Sequence, residues 1–431
     1  MRRFRSFILF LISFIAVFAA VRFWQEADYG AEARDSAAAV NEPAREVAFV
    51  ANAVAGTVSL IDVAERKVIG TLNAVPDGKR AGFFRDPVQY FAQGFVERRG
   101  GKNYAQDTDL SRDGTVLFVS RGHLGDVAAF DIATGGILWR TPIRGVRADH
   151  MAISPDGRRL FVSALIRGGD VVEVLDTESG ARLGRFKTGT WPHDVHVSED
   201  GKRVYSASLG DMTKSVDERG RDENAYVITV ADAETLEIIQ TYPFHTGIRP
   251  FQVARNGRVM YAQLSNEHAL AALDLELSAY TGLLSLPVAE GVSEHDWDFE
   301  APHHGLALSE DGTTLCAAGR ASDYAAIVET EGSKAKGAFP LSDSPSWPAD
   351  DATVETNGLR LKGTVPAGDA PSWAAFAGDG ICLLANNRSD DVSFISVDGM
   401  NEIARIPAGR GPKHITVGRV PEGVLDKVRA R

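Results

Sequence analysis

The chain has 431 residues, 44% hydrophobic and 24% charged, which is the balance of a folded protein with enough apolar material for a large core and excludes a disordered polyampholyte. Its net charge of -12 and the lack of any Lys/Arg block argue against a nucleic-acid or anionic-membrane surface. With only two cysteines, no disulfide framework holds the fold together.

At the N-terminus, Arg2, Arg3 and Arg5 precede an apolar stretch from Phe7 to Val21, then Arg22 and a polar Ala/Glu-rich segment. A cationic head before roughly 15 apolar residues is the pattern of a secretory signal. The best small-residue cleavage site nearby, Val17-Phe18-Ala19, is poor, so residues 1–24 read as a signal peptide or an uncleaved anchor. The anchor reading is strained by a stretch shorter than the ~20 residues of a comfortable span. Either way the folded part is expected in the periplasm or elsewhere outside the cytoplasm, with the membrane met only through this segment. Residues 25–45 read as a flexible tether.

From residue 46 onward, short β-branched runs alternate with Asn, Gly and Asp, as in Val47–Asn52, Thr57–Asp62 and Lys67–Leu72, the mark of antiparallel strands joined by tight turns. Beyond the signal region no helical periodicity is read. One phrase recurs: polar and His-rich residues, an apolar strand, then an Asp-Gly turn. Strong copies end at Gly157, Gly201 and Gly312, weaker ones run Asp107–Gly114, Pro250–Gly257 and Pro371–Gly380, and a copy without its turn spans Pro412–Gly418. A repeat of this kind buries its apolar faces only against neighbouring copies. Seven copies with four strands each (A to D outward from the axis) predict an all-β, seven-bladed β-propeller over residues 46–418. The first unit lacks its A strand and the chain ends on a lone one, so the C-terminal strand is expected to close the ring against the N-terminal blade, leaving 419–431 as a tail. Cys316 and Cys382 fall on second strands of neighbouring units, as two buried small hydrophobes or as a bridge.

Phe49-Val-Ala-Asn52 with Thr57–Asp62, and Leu384-Ala-Asn386, together with the Ser-Pro-Asp-Gly turn, resemble the YVTN-type propeller repeat of bacterial extracytoplasmic proteins over nearly all of 46–418. The wider group includes the propellers of nitrous oxide reductase, haem-containing nitrite reductases, amine dehydrogenase heavy chains and lactonases. This resemblance implies a fold and leaves function open, because propellers host unrelated activities.

In a four-stranded blade the D-to-A and B-to-C connections share one face. That rule sends all ten histidines to one mouth or into the channel below it: His123 and His268 in B-to-C loops, His245 and His295 in D-to-A connections, and His150, His193, His196, His303, His304 and His414 at the starts of A strands. Long connections at Pro76–Tyr104, Gly210–Glu223 and Glu290–Ala301 belong to the same face. The first carries Phe83, Phe84, Tyr90, Phe91, Phe95 and Tyr104, a lid, a partner-docking edge or packing over the blade beneath. A fourth insertion, about 331–357, reads as an excursion on the opposite face.

The densest polar run, Glu294 to His304, brings His295, Asp296, His303 and His304 together, and Asp149, His150, His193, Asp194, His196 and His414 can join across the channel. Imidazoles and carboxylates in such a set suit zinc or copper. No standard metal spacing is present, and any single imidazole could instead hydrogen-bond backbone or ordered water at the channel neck. Compared with the copper cluster of nitrous oxide reductase the ring is incomplete, since Gln252 and Trp373 stand at equivalent positions; a haem would be non-covalent, for want of a Cys-x-x-Cys-His site. Arg147, Arg249, Arg410 and Lys413 precede A strands on the same face and could receive a carboxylate or phosphate, or pair with nearby acids. The reading that joins these features is an exported propeller binding a divalent metal or metallated cofactor at one mouth, in a handling or accessory role beside a periplasmic protein partner. The alternatives are an enzyme using the same mouth, as an oxidoreductase subunit or lactonase-like hydrolase, and a protein-interaction module.

Overall fold

The computed structural model describes residues 43–83, 86–165, 169–219, 221–293, 297, 301–330, 339–340, 358–378 and 380–431. Seven antiparallel sheets form the blades of a β-propeller. Blade 1 is the composite one: its strand order is Pro412–Pro421, Ala44–Asn52, Thr57–Asp62, Lys67–Asn73, so the last strand of the chain supplies the A strand. The closing register pairs Ala44 with Pro421, Val47 with Gly418 and Val50 with Ile415. Residues 419–431, read from the sequence as a tail, instead continue this strand to Pro421 and form the helix Glu422–Arg429, whose Leu425 and Val428 are buried against blade 1.

Blades 2 to 7 begin at the A strands Asp107–Leu110, Arg147–Ile153, Pro192–Val197, Ile248–Val253, Leu306–Leu308 and Pro371–Ala377. Each apolar layer is shared between neighbours; Phe161, Val172 and Val174 of blade 3 pack with Val195 and Val204 of blade 4. The Asp-Gly turns hold the A-to-B corners. In blade 3 Ser154 Oγ donates to Asp156, accepts from the amide of Arg159, and Gly157 takes a φ of 75° that favours glycine. Blade 5 carries an added fifth strand, Phe339–Pro340, from the insertion expected at 331–357, the rest of which lies outside the described residues.

Two features differ from the sequence reading or decide what it left open. The insertion at 76–104 contains a helix, Pro87–Gly100, although no helical periodicity was read there. It starts with Asp86 capping the amide of Gln89 and Pro87 in the first turn. Gln89 then fixes it to the mouth by donating to the carbonyls of His123 and Val146. Cys316 and Cys382, both fully buried on the B strands of blades 6 and 7, are joined in a disulfide. Among the described residues no helix is long and apolar enough to cross a membrane.

Candidate functional site

The A strands do not run smoothly into the channel. One extra residue bulges from the A strand of blade 3 between Ala148 and Met151, of blade 4 between Pro192 and Val195, of blade 5 between Ile248 and Phe251, and of blade 7 between Pro371 and Ala374. Bulges of this kind re-aim side chains and gather near functional sites. Here they deliver Asp149-His150, His193-Asp194, Arg249-Pro250 and Ser372-Trp373. Counting back from the turn glycines orders the lining into tiers. Eight residues before each glycine stand Gln106, Asp149, His193, Arg249, His304 and Ser372; seven before stand Asp107, His150, Asp194, Pro250, Gly305 and Trp373, with Lys413 and His414 their counterparts in blade 1. Gly305 is required where it is: at φ 138° any Cβ would lie 2.6 Å from the Cα of Trp373.

Asp107 is the centre of the second tier and was not among the residues singled out from sequence. Its Oδ2 lies 3.1 Å from Nδ1 of His150 and accepts the amide of Met151, while its Oδ1 lies 2.8 Å from Nδ1 of His414, a contact outside hydrogen-bond geometry. The signal that finds it is the turn-glycine count, which puts Asp107 in register with His150. On the other edge of that imidazole, Nε2 lies 3.4 Å from the amide nitrogen of Gln106, which donates to Asp149 Oδ1 at 2.5 Å. His150 also stacks on Trp373 and meets His193 edge-on at 4.7 Å, and His193 in turn meets His304 at 5.3 Å. Each of these residues is at least nine-tenths buried.

Two groups have the composition and closeness of ligand sets. Asp107, His150 and His414, and likewise Asp149, His150 and His193, each present ligand atoms within 4.8 Å of one another. In the second, Oδ2 of Asp149 and Nδ1 of His193 are buried without a hydrogen-bond partner. Such orphaned atoms are costly unless something pairs with them.

The protonation pattern follows from burial and charge. Burial pushes the Asp107 carboxyl up, but His414 and His150 outweigh it and hold the group well below the usual carboxylate range. Burial likewise lowers His150, and Asp107, Asp149 and Asp194 reverse this to a net rise. His193 is held well below its ordinary value by burial, then by His150, His304 and Arg249; His304 by burial, then by Lys413, Arg249 and Arg320. Both are therefore neutral at pH 7, the form with a lone pair for a metal. His304 uses Nδ1 to donate to the carbonyl of Ser372.

The remaining expected site residues separate. His196 lies one step down the channel, 3.2 Å from Asp194 Oδ2, and lines with Asp109, Gln252 and Thr416 a cavity of about 510 Å³. His303 points away from His304: its ring meets His268 at 4.8 Å and its Nε2 lies 3.1 Å from the hydroxyl of Tyr324. His245 pairs with Glu267 and Tyr280. His295 and Asp296 lie outside the described residues, as does Phe84 of the aromatic run. Arg147 bonds to Asp149 Oδ1 at 3.1 Å, Arg249 to Ser265 and Met212, and Arg410 is exposed. Burial, then Arg320 and Arg147, push Lys413 down to about 7, so at neutral pH it is only part charged; the lasting positive charge near the imidazoles is that of Arg147, Arg249 and Arg320, and the sequence reading lacked Arg320, which arrives from a B-to-C turn.

No family model matches the chain, and no curated protein matches it in sequence. Among solved structures it is similar to a chain of Kuenenia stuttgartiensis hydrazine synthase, with a TM-score of 0.60 and 16% identity over 81% of this chain and 91% of that one. It is also similar to a chain of a mitotic checkpoint complex, with a TM-score of 0.51 and 14% identity over 78% and 81%. At these identities the likeness is one of fold: a seven-bladed propeller.

Proposed function

We propose that this protein is an exported propeller of the YVTN-repeat kind that binds a divalent transition-metal ion on its channel tiers, in a handling or accessory role beside a periplasmic partner. The observation that carries the metal reading is the meeting of Asp107, His150 and His414 in one buried group. Ligand atoms around a tetrahedral ion with bonds of about 2.0 Å lie roughly 3.3 Å apart, and the two oxygens of Asp107 stand 2.8 Å from His414 and 3.1 Å from His150, close to that spacing. Two imidazoles and a carboxylate suit zinc or copper(II). The imidazole and indole rings pack with centroids 4.2 to 5.5 Å apart, which favours a bare ion over a haem.

Export is supported by the cationic, apolar N-terminal segment and by the Cys316–Cys382 bridge, a bond of oxidising compartments. A partner is supported by the helix at the mouth, where Val88, Phe91 and Phe95 are 65%, 67% and 48% exposed. The positive charge of Arg147, Arg249 and Arg320 near the imidazoles favours a second reading, an enzyme with an anionic substrate. Calorimetric titration of chelator-stripped protein with zinc tests the first reading. Tight binding that disappears in the Asp107→Asn, His150→Gln double variant is expected, and heat identical in parent and variant would overturn it.

A further inference from the structure

The two candidate ligand groups share His150, and the two edges of its ring have different neighbours. Nδ1 faces Asp107, whose other oxygen meets His414. Nε2 faces Gln106, whose amide is held by Asp149 Oδ1; in the group that Asp149 shares with His193, the other carboxylate oxygen of Asp149 and Nδ1 of His193 are the orphaned atoms. A single ion bonded to one ring nitrogen cannot reach the other edge, so one ion leaves one group unserved. The ring itself is fixed, because Trp373 stacks on it at 4.6 Å with planes 21° apart, and ligand orientation of this kind sets affinity.

We propose that His150 bridges two divalent ions, one held by Asp107, His150 Nδ1 and His414, the other by Asp149, His150 Nε2 and His193. The inference rests on the metal reading above. Both nitrogen lone pairs bind metal, so the ring becomes an imidazolate and its proton or protons pass to solvent as the ions enter. Gln106 is the group displaced, since its amide occupies the Nε2 side without metal. Each ion keeps three protein ligands and an open position, the arrangement of reactive rather than purely structural sites. With metal–nitrogen bonds of about 2.0 Å the ions stand roughly 6 Å apart, too far for one oxygen atom to bridge them and near enough for exchange through the ring. Arg147, bonded to Asp149, puts a cation beside the second group and makes an anion the natural occupant of its open position.

Copper(II) is the probe. Chelator-stripped full-length protein is titrated with copper(II), bound metal is counted by atomic absorption, and the same samples are read by electron paramagnetic resonance. The bridge requires two coppers per chain and a signal well below that of two isolated ions, because the unpaired spins couple through the imidazolate. In His193→Gln one copper remains and its signal is restored to full intensity; His414→Gln does the same from the other side. One copper per chain in the parent protein, or two with undiminished signal, overturns the bridge and leaves the metal reading standing. No copper at all overturns both. The parent measurement decides by itself, so a variant that fails to fold does not leave the matter open.

Discussion

His150 and Trp373, from blades 3 and 7, lie against one another across the channel with ring centroids 4.6 Å apart and planes 21° apart. Trp373 also touches His414 at 4.2 Å, so one indole orients two of the three residues of the Asp107 group. Removing such support commonly costs 10- to 100-fold in metal affinity. Trp373→Phe, which keeps a flat ring, is expected to bind zinc like the parent, and Trp373→Leu to bind about tenfold or more weakly while keeping its far-ultraviolet dichroism. Equal affinity in parent and Trp373→Leu would show that the stack positions nothing.

The C-terminal strand closes the ring against the N-terminal blade. Deleting residues 411–431 removes the A strand of blade 1 and the helix carrying Leu425 and Val428, leaving Ala44–Asn52 as an unpaired edge. The melting temperature should fall by on the order of 10 °C or more. An unchanged melting curve would contradict the closure.

A buried ion network ties the insertion at the mouth to blade 2. Arg121 bonds to Asp126 and, in the insertion, to Asp77, and Arg140 joins the same two acids. Burial pushes the Asp126 carboxyl up, but Arg121 and Arg140 outweigh it and hold it below its ordinary value. Its pairing therefore adds stability above the unfolded carboxylate pKa of about 3.9 and loses it as pH falls through the lower folded value. Asp126→Asn should cost about 1–3 kcal/mol at pH 7, since buried Arg121 then keeps only its pairing with Asp77, with the gap to the parent narrowing below about pH 4. Urea midpoints from pH 3 to 7 check both; a constant gap would exclude the linkage.

The Cys316–Cys382 bridge closes a 66-residue separation between blades 6 and 7. By loop entropy it contributes roughly 4 kcal/mol. Alkylation of unfolded, unreduced protein should leave both cysteines unlabelled, and Cys316→Ala with Cys382→Ala should melt earlier; two labelled thiols would contradict the bridge.

The propeller was legible because its signal is periodic: each Asp-Gly turn announces an A-to-B corner, and the missing first strand and extra last strand announce the closure. Legibility ended where information is not local. The helix Pro87–Gly100 has apolar residues on several sides, so no stripe stood out, though Asp86-Pro87 is a start signal. Asp107 was passed over because acids are common and only its register with His150 gives it meaning. The separation of His303 from its neighbour His304 shows only in their partners, Tyr324 and His268 for one and Ser372 and His193 for the other, and the cysteine pairing depends on blade-to-blade register, neither of which spacing along the chain contains.

Anomalous X-ray scattering from crystals grown with zinc tests the metal site most directly. A peak within bonding distance of Asp107, His150 and His414 at the zinc edge is the expected result. Well-ordered side chains at those three residues with no peak between them, at saturating zinc, would contradict it.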